Sequence, residues 1–391
     1  MDATWPDPLD ITMDVLGQTA FLRIYTQLCL CYPVEGSASH AAIINALQKG
    51  LERLSESFPW VAGQAINEGA SRENKGILKI KSFQKTVPLV ANFPMGLLNE
   101  SLLAPRRTLP GSPDEAGLNN SPVFLLQATF ITGGLLLTFV SQHATMDMTG
   151  QGQLMGLLSK ACHDAPFTDE ELLIGNLDRR SLVPLLDDSY QPGPEISHLL
   201  FKSPTQSISE STANNKPSTT PFISTDDALS ALIWQAVVRA RLPRLTPTTD
   251  STFGRAVDAR PYMDTVPNTY PGLMQSMVFN TTTLQSLIDS PLGTISAHLR
   301  SVVNPHTSNL QYIIRALATV LSHKLLGLDF NLGLGFPEAV RRPHFTPVEG
   351  LVYLMPEAVN GEVGTAICLG DEDMDRLKAD EQFGKFGELV G

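Results

Sequence analysis

A mixed α/β fold in two domains is what this sequence predicts, and three observations carry the expectation. The chain has 391 residues, more than one ordinary domain needs. Strand-like and helix-like segments alternate along it, the pattern of layered α/β folds. Residues 202–221, rich in Ser, Thr, Asn and Pro, interrupt that alternation near the middle. Hydrophobic residues make up 42% and charged residues 17%, which is enough apolar material for a sizeable core.

Ala20 to Tyr32 is an apolar run that reads as a strand, and Pro33 to Ser39 reads as a turn. Ala41 to Phe58 carries Ile44, Leu47, Leu51 and Leu54 at helical spacing, with Gly50 weakening that helix slightly. Val123 to Thr132 and Leu135 to Gln142 are apolar runs joined by Gly133-Gly134. That is a hairpin signal, because glycine accepts the positive φ of tight turns. Met148 to Cys162 returns to helical spacing. Residues 202–221 read as a solvated crossover loop dividing an N-terminal domain, 1–201, from a C-terminal domain, 222–391. Ser224 or Thr225 can cap the next helix, and Asp226 and Asp227 suit the positive end of its dipole. The apolar face of that helix is Leu229, Leu232, Ile233, Ala236 and Val237. Met277 to Thr283, Val352 to Met355 and Gly364 to Leu369 read as strands, Ser308 to Leu321 as a helix, and Asp371 to Phe383 as an acidic helix.

The net charge of −12 gives the chain no general attraction to nucleic acid or anionic membrane. Four cysteines, Cys29, Cys31, Cys162 and Cys368, are too sparse for a disulfide scaffold and fit no zinc or CxxC pattern. They are expected to be reduced and mostly buried. The N-terminus has no signal-peptide pattern and no apolar run reaches membrane-spanning length, so a cytoplasmic protein is expected.

The chemistry centres on His143-Ala144-Thr145-Met146-Asp147, placed between an apolar strand and a helix. A histidine leaving a buried strand has rigid support, which suits a general base. The pentad alone also admits a core histidine with a capping aspartate and, less readily, a metal site, for which one His and one Asp make a poor ligand set. Ser141 lacks a nucleophile-elbow context, and Gly327, Gly333 and Gly335 form no phosphate-binding pattern. His163, His198, His298, His306, His323 and His344 are scattered.

An HxxxD pentad after a strand resembles the signature of the BAHD acyltransferases, in their fungal trichothecene O-acetyltransferase-like branch. The likeness runs along nearly the whole chain. Pro59-Trp60-Val61-Ala62-Gly63, Thr225-Asp226-Asp227-Ala228-Leu229 and Val257-Asp258-Ala259-Arg260-Pro261 resemble family segments. So do Asp329-Phe330-Asn331-Leu332-Gly333-Leu334-Gly335, Glu338-Ala339-Val340-Arg341-Arg342-Pro343 and Asp371-Glu372-Asp373-Met374. The resemblance implies two chloramphenicol-acetyltransferase-like domains with a solvent channel between them. It implies transfer of an acyl group, acetyl being expected, from a CoA thioester to a hydroxyl or amine of a small secondary-metabolite acceptor. No cofactor is bound permanently and no metal is needed. His143 matches the catalytic base. Asp147 is implied to pair with Arg260 rather than to join a triad. Asp329, Gly333 and Gly335 are implied to shape the site, Arg341 and Arg342 are candidates for the CoA phosphates, and a monomer is expected.

The sequence departs from the family in places. Met148 follows Asp147, Leu273 follows Gly272, Asn331 and Phe336 stand in the second signature, and Leu321-Ser322-His323-Lys324 runs almost directly into Asp329 without the strand relatives carry there. The alternative readings are a BAHD fold repurposed for proton-transfer chemistry, or a catalytically inactive binding protein.

Overall fold

The structure, a computed structural model, describes residues 9–19, 22–34, 40–70, 76–92, 121–187, 189–197, 222–324, 349–354 and 362–388. The expected crossover loop at 202–221 lies outside the described residues. Two compact units form. The first takes Met1–Ser197, Asp258–Ser276 and Tyr312–Arg341; the second takes His198–Val257, Met277–Gln311 and Arg342–Gly391.

The first unit holds strands β1 (Asp10–Thr12), β2 (Tyr25–Pro33), β3 (Gln64–Glu68), β4 (Ile77–Lys81), β5 (Leu89–Asn92), β6 (Phe124–Ile131) and β7 (Gly134–Gln142). One sheet runs β2-β7-β6-β5 and is mixed: β5 lies parallel to β6 and the other pairs are antiparallel. A smaller antiparallel sheet runs β1-β4-β3. β6 and β7 are buried along almost their whole length, which is why they read as unbroken apolar runs. Their turn is Thr132-Gly133, with Gly133 at φ +77°; Gly134 already pairs with Ile131 inside the ladder. The hairpin is as expected, displaced by one residue.

β2 starts later than its apolar run, at Tyr25, where pairing with Gln142 begins. It is an edge of the described sheet, and alternate residues face outward. Cys29 and Cys31 therefore share one exposed face, which corrects the expectation of mostly buried thiols; Cys162 is half-buried, Cys368 is buried, and all four are free.

Helix α1 (His40–Ser57) buries Leu51 and Leu54 and packs on α2 (Met148–Cys162). A Cβ at Gly50 would fall 2.4 Å from the Cys162 Sγ, so this glycine serves the close approach of the two helices. Arg53 donates to the carbonyls of Ala161 and Ala165, at 3.0 Å each, at and just beyond the C-terminal end of α2. The short helix α3 (Asp169–Gly175) has a Thr168/Glu171 capping box, and the Gly175 carbonyl accepts the buried Trp60 indole N–H at 2.8 Å.

The second unit is organised on α4 (Thr225–Arg241), capped by Ser224 rather than Thr225. Ser224 and Asp227 bond each other's backbone N–H groups, and the buried Asp227 also accepts from Arg255 and Arg300. One side of α4, with Ala231, Trp234 and Val238, packs on α5 (Leu284–Asp289) and α6 (Leu292–Ser301). Another side, with Ala236 and Ala240, packs on Leu377 of α8 (Asp371–Lys378); α7 (Leu310–Lys324) lies between α6 and α8 in the chain. α4 is thus buried more widely than the single face read from the sequence. Strands β8 (Asp250–Asp258) and β9 (Gln275–Thr283) pair, as do β10 (Val352–Leu354) and β11 (Thr365–Ile367).

Candidate active site

β7 ends at Gln142, and its last pair, with Tyr25, places His143 at the rim of the buried sheet. The His143 N–H donates to the Ile24 carbonyl at 2.7 Å, extending the β2–β7 ladder by one step. The chain then turns through 143–145 and enters α2 at Asp147. Gln142 holds the turn from inside: its carbonyl accepts from the Thr145 N–H at 3.0 Å and hydroxyl at 2.6 Å, and its Oε1 accepts from the Ala144 N–H at 2.7 Å. His143 is 8% exposed. Its Nδ1 lies 3.2 Å from the Met146 carbonyl. A carbonyl only accepts, so Nδ1 carries the proton in the neutral ring and Nε2 holds the lone pair.

Asp147 has its carboxylate engaged with Gly150, Met274 and Arg260. As the N-cap of α2 it accepts the Gly150 N–H at 2.7 Å. It also accepts the Met274 N–H at 2.6 Å and a two-pronged contact from Arg260, 3.1 Å at each prong. These four bonds fill the acceptor positions of the carboxylate. Arg260, 1% exposed, further donates to the carbonyls of Tyr270 and Gly272, at 2.9 and 2.7 Å, and to Asp258 at 2.8 Å. Burial alone pulls its pKa down; Asp147 and Asp258 outweigh that and hold it above the usual value. The Asp147–Arg260 pair expected from the sequence is present, entirely within the first unit.

A second buried group lies under the same turn, and sequence reasoning missed it. Arg179, 3% exposed, donates from Nη1 to the Thr145 carbonyl at 2.7 Å and meets Asp14 at 3.3 Å. Its guanidinium stacks 4.3 Å from the Trp60 ring. Asp14, 1% exposed, also accepts the Tyr270 hydroxyl at 2.7 Å. Burial pushes the Asp14 carboxyl up, against the pull of Arg179, and pushes the Tyr270 hydroxyl well up, so that hydroxyl stays a donor. The one local signal was Asp14 itself, a carboxylate among Ile11, Met13, Val15 and Leu16.

Asp329, Gly333, Gly335, Arg341 and Arg342 lie outside the described residues. Among the described residues no cluster of three His, Cys, Asp or Glu side chains could hold a metal ion.

Residues 24–92 and 90–162 match the model of the trichothecene 3-O-acetyltransferase-like N-terminal domain. An O-acetyltransferase of Cryptosporiopsis sp. is 45% identical, with 98% of each chain covered. The trichothecene 3-O-acetyltransferase of Fusarium sporotrichioides is 38% identical over all of this chain and 99% of its own. This chain belongs to the trichothecene 3-O-acetyltransferase-like family. The resemblance read from its motifs is therefore borne out. Among solved structures, the F. graminearum TRI101 complex with ethyl coenzyme A superposes on this family member with a TM-score of 0.84 at 38% identity, covering 98% of this chain and 100% of that one. Vinorine synthase, 14% identical with a TM-score of 0.64, shares the fold. The Cryptosporiopsis alignment runs over 454 positions, more than the 391 residues here, so that relative has segments this family member lacks.

Proposed function

We propose that this chain transfers an acyl group, acetyl being the expected one, from a CoA thioester to a hydroxyl of a small secondary-metabolite acceptor, with His143 as general base. One observation carries the assignment: an imidazole anchored through backbone N–H and Nδ1, with its lone pair confined to Nε2, on the HxxxD turn of an O-acetyltransferase family member. The names of relatives supply the chemistry. A solved F. sporotrichioides TRI101 complex, 37% identical, holds coenzyme A and T-2.

Nε2 takes the acceptor's hydroxyl proton while the oxygen attacks the thioester carbonyl. The tetrahedral intermediate collapses, the C–S bond breaks, and the imidazolium returns the proton to the CoA thiolate. No acyl-enzyme forms. Holding both substrates beside one base supplies much of the rate through orientation. Arg341 and Arg342 are assigned to the CoA phosphates and Asp329, Gly333 and Gly335 to shaping the site. Losing one charge-assisted phosphate contact, worth about 1.5–3 kcal/mol, should raise KM for acyl-CoA about tenfold or more in Arg341→Ala or Arg342→Ala and leave kcat nearly unchanged. We read the protein as a cytoplasmic monomer; its charge of −12 disfavours nucleic acid and anionic lipid. The test is release of free CoA thiol from acetyl-CoA in the presence of a panel of hydroxylated terpenoids and polyketides, repeated with His143→Ala.

A further inference from the structure

The acceptor of the His143 Nδ1 proton is the Met146 carbonyl, and the carbonyl before it and the side chain after it are both held by buried guanidiniums. Thr145, fully buried, gives its carbonyl to Arg179. Asp147 gives its carboxylate to Arg260. On the 145 side of the turn, Gln142 accepts from the Thr145 N–H and hydroxyl, and Arg179 takes the Thr145 carbonyl. Asp14 accepts from Arg179 and from Tyr270, and accepts the Leu273 N–H at 3.4 Å. Trp60 covers the guanidinium face. Tyr270 joins the two halves: its hydroxyl serves Asp14 and its backbone carbonyl serves Arg260.

We infer that Asp14, Arg179 and Tyr270 form a second buried clamp that positions the His143 imidazole through the Thr145 carbonyl, in parallel with the Asp147–Arg260 clamp. The inference rests on His143 being the base in the reading above. The three residues are positioning residues. Their effect is to fix the peptide planes that orient the Met146 carbonyl. Close packing supports the same design. A Cβ at Gly17, three residues after Asp14, would fall 2.4 Å from the Ala144 carbonyl oxygen. The segment that carries Asp14 is thus pressed against the turn as well as charged toward it. A buried carboxylate and guanidinium packed this way cost desolvation, so they are weak devices for stability alone and better ones for fixing a single arrangement.

Tyr270→Phe is the informative variant, since it deletes one hydroxyl and keeps the ring. Arg179→Lys and Arg179→Met form an informative pair. Lysine keeps the charge and can still donate, but lacks the planar group that stacks on Trp60 and offers a shorter, more mobile reach, whereas methionine keeps neither charge nor donor. Steady-state kinetics should show kcat lowered about tenfold to a hundredfold in Tyr270→Phe and Arg179→Met, with KM for acyl-CoA within about twofold and partial recovery in Arg179→Lys. A purely structural role predicts losses that follow the folded fraction and vanish when rates are corrected for it. The second readout needs no turnover: the His143 ring signal, identified by its disappearance in His143→Gln, is followed by NMR against pH. The clamp predicts a changed midpoint or a second tautomer in folded Tyr270→Phe. A curve superimposable on wild type, with unchanged kcat, overturns it. Wild-type protein that releases no CoA would sink the functional reading, while the NMR comparison would still decide whether the clamp orients His143.

Discussion

Asp147 engages Gly150, Met274 and Arg260 at once, so Asp147→Ala removes the two-pronged buried partner of Arg260 and leaves it the half-buried Asp258. We expect about 3–5 kcal/mol of lost stability in chemical denaturation, with the loss of activity following the loss of folded protein. His143→Ala should do the reverse, leaving the unfolding midpoint nearly unchanged and removing turnover. His143, Asp147 and Arg260 were legible in the sequence because two short motifs carry them and a family likeness links those motifs. Asp14, Arg179 and Tyr270 were not. Asp14 and Tyr270 stand 256 positions apart, and a contact at that separation leaves no local period to read. Cys29 and Cys31 misled for a related reason: an apolar run signals a strand, but whether the strand is central or at an edge is decided by partners elsewhere in the chain.

Helix α2 was read to the residue, Met148 to Cys162, because its first turn has its own cap in Asp147. The start of β2 was misplaced by several residues, since pairing with β7 and not apolarity sets it. Gly50 was read as a weak point in α1, whereas the structure uses it to seat α1 on α2. Gly150, in the first turn of α2, is tighter: a Cβ there would lie 2.4 Å from the Pro271 carbonyl oxygen and 2.7 Å from that of Gly272. Both obstacles are backbone on the segment that carries Tyr270 and receives Arg260. Gly150→Ala should therefore cost about 1–3 kcal/mol and lower kcat, while Gly152→Ala, whose Cβ meets nothing, should leave both near wild type. Urea melts of the two alanine variants side by side measure the difference.

The alternation of elements announced a mixed α/β molecule, but not how the chain is shared between its two units. Residues 258–276 return to the first unit because Arg260, Tyr270 and the Met274 N–H find their partners there, and no composition shift marks the crossing. The second unit carries its own acid-sensitive element. Hydrogen bonds from Arg244 hold the buried Asp373 carboxyl below its ordinary 3.8, with burial opposing and Arg376 helping. A depressed folded-state pKa stabilises above the unfolded value and loses that contribution as pH falls through the folded one. Wild type should exceed Asp373→Asn by about 2 kcal/mol at pH 6, and the gap should close as pH drops below about 3.8 in urea titrations. The central claim concerns His143, and single-turnover mixing of acetyl-CoA with a hydroxylated acceptor tests it most directly. The account predicts CoA thiol and acetylated product appearing together from wild type, and neither from folded His143→Ala. Undiminished acetylated product from that variant would contradict it.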